Sequence, residues 1–157
     1  QAQNAKGGLT EQTEKTTAYH TATHIMLAGL RKMFGTQTVQ KGSNITEERL
    51  RFDFNLDHKM TEEELKELET FVNDVIAKKI DVVKTEVAYK TAVEQGAYGV
   101  FNADSDDQIV TIYTIDGVDK QICGGPHVKN TGDLGTFVIK KEESSAGGVR
   151  RIKAVLK

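Results

Sequence analysis

The tightest constraint on this chain is a pair of short segments about a hundred residues apart, His20-Thr21-Ala22-Thr23-His24 and Cys123-Gly124-Gly125-Pro126-His127. The chain has four histidines and one cysteine, and three of those histidines plus the cysteine fall in these two segments. The first lies within Glu11 to Phe34, where Ala18, Ala22, Ile25, Met26, Gly29, Leu30 and Met33 recur at intervals of three and four. That spacing is the period of a helix packed on one side. Four residues turn a helix through about 400°, so the two imidazoles project from one face, roughly a turn apart. The second pair has the same spacing, but Gly-Gly-Pro forbids an ordinary helix between its members. That loop must bend, and its glycines permit the bend.

If the pairs meet, three nitrogens and one sulfur surround a common point. That donor set suits Zn²⁺ and disfavours Mg²⁺ and Ca²⁺. The plainer reading is two core histidines and a buried thiol that never share an ion. A shared metal site between a helical HxxxH pair and a CxxxH loop is the expectation carried forward. The HExxH protease motif is absent, because Thr21-Ala22-Thr23 offers no carboxylate. Four protein ligands normally close a zinc site, whereas a catalytic zinc keeps one position open. The residues alone leave catalytic and structural roles for the metal both open.

The remaining sequence predicts an α+β fold, a mainly antiparallel sheet packed with helices, because strands and helices are grouped rather than strictly alternating. Gly35 is placed to end the first helix. Thr36 to Ser43 reads as extended, and Arg49 to Phe54 alternates as a half-buried strand. Thr61 and Glu64 form a capping box that starts a second helix running to about Lys79. Ile80 to Val87 reads as a strand, Ala88 to Gln95 as a short helix stopped by Gly96, and Gln108 to Ile115 as the clearest strand. Asp116-Gly117 turns into Gln121-Ile122, and Leu134 to Glu143 and Val149 to Leu156 form a final hairpin. His58, in Asp57-His58-Lys59, reads as a surface loop residue.

The chain's 157 residues suit a single domain over 1–157, with the polar residues 1–10 as a loose lead-in. The single cysteine rules out an internal disulfide, and no apolar run approaches the ~18 residues of a membrane span. No signal peptide is visible, so the expectation is a soluble, cytoplasmic protein with no membrane partner. It begins with Gln rather than Met, which suggests a processed product or a domain cut from a longer chain. Net charge is −2, which excludes a strongly basic nucleic-acid binder. Between Lys140 and Lys157, however, six basic side chains face two acidic ones. Such an end suits an anionic partner docking at one edge, or simply a solvated strand face.

With both pairs in view, the chain resembles the editing domain of alanyl-tRNA synthetases and the related free-standing alanyl-tRNA editing proteins. The carriers are His20-Thr-Ala-Thr-His24, Gln40-Lys-Gly-Ser43, Arg51-Phe-Asp-Phe54, Cys123-Gly-Gly-Pro-His127 and Gly148-Val-Arg-Arg-Ile152, from about Tyr19 to Val155. The resemblance implies a zinc-dependent hydrolase that removes serine, and possibly glycine, from alanine tRNA. A pocket sized for alanine discriminates poorly against glycine, or against serine with its one added hydroxyl, so a second, hydrolytic site supplies the fidelity. The resemblance also implies that His20, His24, Cys123 and His127 are zinc ligands and that Gln40 and Thr23 belong to the editing pocket. Gln40 would orient water or the attached amino acid, and Thr23 is equally well read as helix packing. Lys41, Arg150 and Arg151 are candidates for contacts with the aminoacylated 3′ end of the tRNA. Lys41 also reads as an ordinary surface lysine. Consecutive strand positions send the two arginines to opposite faces, so that one would reach the RNA while the other is solvated. Pro126 departs from the pattern: alanyl members usually have Thr there, and Gly-Pro-His resembles the editing domain of bacterial threonyl-tRNA synthetases. Removal of serine from threonine tRNA is therefore the alternative activity, and a zinc-stapled, non-catalytic tRNA-binding module the alternative class.

Overall fold

A computed structural model of the chain describes residues 12–99 and 103–157. The 1–10 lead-in lies outside the described residues. The first helix, α1 (Glu14–Phe34), starts three residues later than periodicity suggested. Thr13 caps it, and the Thr16 hydroxyl accepts the Thr13 N–H in return, completing a capping box. Gly35 ends α1 at φ +111°, and its N–H returns to the Arg31 carbonyl. From Tyr19 to Leu30 every residue of α1 is buried, so the helix is enclosed on all sides rather than amphipathic.

Next come β1 (Gln40–Ile45), β2 (Leu50–Asn55), α2 (Glu62–Ala77), β3 (Val82–Ala88), α3 (Tyr89–Glu94), β4 (Ile109–Ile115) and β5 (Asp119–Ile122). A short 3₁₀ turn (Thr131–Leu134) precedes the closing hairpin of β6 (Phe137–Ala146) and β7 (Val149–Leu156). All the named strand pairings are antiparallel. The α+β expectation holds, but the strands form two sheets rather than one, ordered β1-β2-β7-β6 and β3-β4-β5. Leu134 enters as the last residue of the 3₁₀ turn, capped by Asn130, so β6 begins three residues after the predicted strand start.

The four-stranded sheet turns Leu50, Phe52 and Phe54 of β2 and Ile152 and Ala154 of β7 inward, all fully buried. Ile25, Met26 and Leu30 of α1 and Leu68 and Val72 of α2 complete that core, also at 0 % exposure. Thr61 and Glu64 cap α2 as their spacing predicts. The three-stranded sheet has two working faces. Val110 and Ile112 of β4 and Ile122 of β5 pack with Ala92 and Ala97 in a separate small core. Alternate residues of the same strands, Tyr113 and Ile115 on β4 and Asp119 and Gln121 on β5, face the main body. Strand alternation then delivers Cys123, two residues after Gln121, to that side. Among the described residues, no helix is long and apolar enough to cross a membrane.

Candidate metal centre

Loop and helix meet as the spacing requires. The ligand atoms of His20, His24, Cys123 and His127 all lie within 4.8 Å of one another. Cys123 Sγ is 3.4 Å from His20 Nε2. The ring of His127 stacks on that of His20 with centroids 4.1 Å apart and meets His24 edge-on at 4.2 Å. His20 and His24 are buried, while Cys123 and His127 are half-buried, so the group opens on the loop side.

The loop is held to α1 by two side chains of the helix, His20 and Thr21. Pro126 turns its carbonyl to accept Nδ1–H of His20 at 2.8 Å. The contact uses only the backbone, so threonine at this position could offer the same acceptor, and Pro126 does not weaken the donor set. Gly125 N–H lies 3.4 Å from Cys123 Sγ, and Cys123 N–H donates to the Thr111 carbonyl at 3.0 Å. Thr21 Oγ1 lies 2.9 Å from His127 Nδ1. Tyr113 from β4 closes the far side, its ring edge-on to His127 at 4.2 Å.

Burial governs the protonation of the four groups. It lowers His20 to about 4, opposed by the Pro126 carbonyl, and it holds His24 and His127 well below the usual imidazole value. Neighbouring imidazoles push the latter two the same way. Burial also pushes the Cys123 thiol up to about 11. Near neutral pH the three imidazoles are therefore neutral and can offer lone pairs. His127 Nε2 is buried, with no hydrogen-bond partner among the described residues. An unpaired buried nitrogen is costly unless something binds it. Three imidazole nitrogens and one sulfur, with the outer nitrogens of His20 and His127 engaged, fit a soft divalent ion such as zinc.

The other residues singled out by sequence lie in more ordinary surroundings. Thr23 is buried at 4 % exposure, and its hydroxyl donates to the Tyr19 carbonyl one turn back at 2.9 Å. Gln40, half-buried at the start of β1, donates to Ser43 Oγ at 3.3 Å, and Lys41 beside it is exposed. Arg150 and Arg151 do lie on opposite faces, and both are ion-paired. Arg150 grips Glu142 with Nε and Nη2 at 2.7 and 2.8 Å. Arg151 grips Asp53 at 2.8 and 3.1 Å. His58 is exposed, as expected, between Asp57 and Glu64, whose carboxylates raise its pKa.

Thr21 and Tyr113 touch the centre without having been singled out. The signal for Tyr113 was present, since period-two alternation puts it opposite Val110 and Ile112. Nothing in the local pattern separated Thr21 from Thr23.

Comparison with known proteins agrees with this geometry. Residues 110–153 match the "Threonyl and Alanyl tRNA synthetase second additional domain". Alanine–tRNA ligase of Borrelia hermsii is 50 % identical over 151 residues, covering 96 % of this chain and 25 % of the ligase. The Treponema denticola ligase gives the same identity and coverage. That of Thermotoga sp. is 42 % identical over 142 residues, 90 % of this chain and 16 % of the ligase. The chain spans at most about a quarter of the length of these relatives. The resemblance carried by the motifs therefore holds: over nearly its whole length this chain is related to one stretch of the alanine–tRNA ligases, including the second additional domain they share with threonyl-tRNA synthetases.

Proposed function

We propose that this chain is a single editing domain that hydrolyses the ester between serine, or glycine, and alanine tRNA, with zinc held by His20, His24, Cys123 and His127. The observation that carries the reading is the convergence of these four donors in a chain related to alanine–tRNA ligases. Bound there, zinc supplies Lewis-acid chemistry suited to ester hydrolysis.

The chain's own residues divide the remaining work. His20, His24 and His127 stay neutral near pH 7 because they are buried, so no proton competes for their lone pairs. Gln40 is an amide, a poor base but a good hydrogen-bond partner, and it orients water or the attached amino acid. Thr23 lines the pocket from α1. Lys41 and one arginine serve the phosphates of the tRNA 3′ end: Arg151, the more exposed of the two, is preset by Asp53, while Arg150 on the opposite face stays with Glu142. The partners are an aminoacylated tRNA and the rest of a synthetase, and the setting is the cytoplasm.

Purified protein should release serine from seryl-tRNA(Ala), and His24→Ala should abolish that release. Undiminished release by His24→Ala would sink the metal reading. One observation favours a second activity, release of serine from tRNA(Thr): Pro126 stands where alanyl members usually have threonine. The same assay on seryl-tRNA(Thr) separates the two. A non-catalytic tRNA-binding module would bind either tRNA and release nothing.

A further inference from the structure

The four donors form the inner ring of the site, but something has to aim them. His20 is aimed by main chain, through the Pro126 carbonyl on its Nδ1. His127 is aimed by a side chain. Thr21 Oγ1 lies 2.9 Å from His127 Nδ1, 3.1 Å from Val128 N and 3.3 Å from the Thr17 carbonyl. Thr21 is fully buried, so no solvent shares these contacts.

A hydroxyl carries one proton and two lone pairs. With the proton on the Thr17 carbonyl, the lone pairs accept Val128 N–H and Nδ1–H of His127. Every polar atom of the group except Nε2 is then satisfied, and Nε2 carries the bare lone pair of His127, free for an ion. The opposite assignment gives the hydroxyl proton to Nδ1. It leaves an N–H on Nε2, a buried atom with no acceptor among the described residues, and burying an unmade donor is costly. The arrangement selects one tautomer of one ligand and ties the following residue of the loop to α1.

We propose that Thr21 is a positioning residue of the metal centre, holding His127 with Nδ1 protonated and Nε2 turned to the ion. The proposal rests on the metal reading of the four donors. It also gives the two threonines of His20-Thr-Ala-Thr-His24 different duties, since the Thr23 hydroxyl turns back to the Tyr19 carbonyl instead.

The test measures zinc affinity by competition with a chromophoric chelator, for wild type, Thr21→Val and Thr21→Ser, each checked for folding by circular dichroism. Thr21→Val should weaken zinc by about 10–100-fold, the usual cost of losing an outer partner of a metal-bound histidine, and Thr21→Ser should restore most of it. A second readout needs no variant: the long-range ¹H–¹⁵N spectrum of metal-free wild type should show His127 protonated on Nδ1. A folded Thr21→Val that binds zinc as tightly as wild type overturns the proposal, as does an Nε2–H tautomer in the wild-type spectrum. A wild-type chain that leaves all zinc with the chelator overturns the metal reading itself, and this proposal with it.

Discussion

Gly29 sits where α1 crosses α2, and replacing it with alanine sets two effects of similar size against each other. In a helix interior, Gly→Ala normally stabilises by about 1 kcal/mol through backbone entropy. Here the added Cβ would lie 2.7 Å from Phe71 Cδ2 and 3.0 Å from Leu68 Cδ1. Leu68 is fully buried and has nowhere to go, whereas Phe71 is half-buried and has solvent on one side. Overpacking of this kind costs about 1–3 kcal/mol, with relief by the ring rather than by the helix placing Gly29→Ala near the middle. The net expectation is a loss of about 1 kcal/mol, or roughly 2–4 °C in melting temperature for a chain of this length. Calorimetric melting of Gly29→Ala beside wild type measures it. A double-mutant cycle with Phe71→Leu should show favourable coupling, because the smaller side chain vacates the space. Zinc affinity should stay at the wild-type value, because yielding by Phe71 leaves His20 and His24 in place. A variant that melts at or above wild type would show that the propensity gain wins and that the crossing is looser than the contact distances say.

Three further outcomes follow from buried charge. Glu142, whose side chain is 2 % exposed, accepts both Arg150 contacts and Met60 N–H at 3.1 Å. Arg150→Met should therefore cost about 3 kcal/mol in urea unfolding by stranding a buried carboxylate, and Glu142→Met added to it should recover part of the loss; no change in midpoint would refute the pair's burial. Asp119 is pushed up to about 7 by burial, against hydrogen bonds from Tyr98 and Gln121, so carbon-13 titration of the side-chain carboxyls should find one aspartate with its midpoint near neutrality. Because the folded state binds that proton more tightly than the unfolded chain, this group's stabilising contribution is complete below about pH 4 and is lost as pH rises to about 7, a swing of about 4 kcal/mol. Zinc uptake near neutral pH should release about one proton, from Cys123 alone, since its thiol stands at about 11 while the imidazoles are already neutral. Affinity should then tighten about tenfold per pH unit on the alkaline side of neutrality, and release of two protons would mean that a histidine was charged.

The features legible in the sequence were those with local causes. The HxxxH face, the Thr61/Glu64 capping box, the Gly35 stop and the Asp116-Gly117 turn each depend on residues within a turn of one another, and each stands in the structure. The division into two sheets depends on pairings such as Phe52 with Ile152 and Val82 with Ile115, which no local pattern encodes. Ile80 to Val87 read as apolar because of its β-branched residues. Much of β3 is nevertheless exposed, Val83 among it, because the strand lies at a sheet edge. The arginine faces came out correctly from strand alternation, yet Glu142 and Asp53 as their partners did not. Cross-strand neighbours are set by register, and register is a tertiary property. Thr21 was hidden for the same reason: its partners, His127 and Val128, arrive from more than a hundred residues away.

The two halves of the site rest on different cores, and this separates what zinc would hold from what it would not. His20 and His24 ride on α1, which is fixed by Ile25, Met26 and Leu30 against the four-stranded sheet without help from any ligand. Cys123 and His127 follow β5 of the smaller sheet, whose own core has, among the described residues, only Ala92, Ala97, Val110, Ile112 and Ile122 as buried members. Around the centre, loop and helix are joined by the His20–Pro126 bond, the Thr21 contacts and a 3.3 Å bond from Gln121 Nε2 to the His24 carbonyl. A bound ion would add a direct bridge between the halves. Chelation should therefore leave α1 and the four-stranded sheet protected from hydrogen exchange, while protection falls from Cys123 to Val128 and along β5, where local opening has the fewest apolar contacts to break. Loss of protection along α1 as well would mean that the metal is a structural staple for the whole domain, and the case for a hydrolytic site on a preformed core would fail with it.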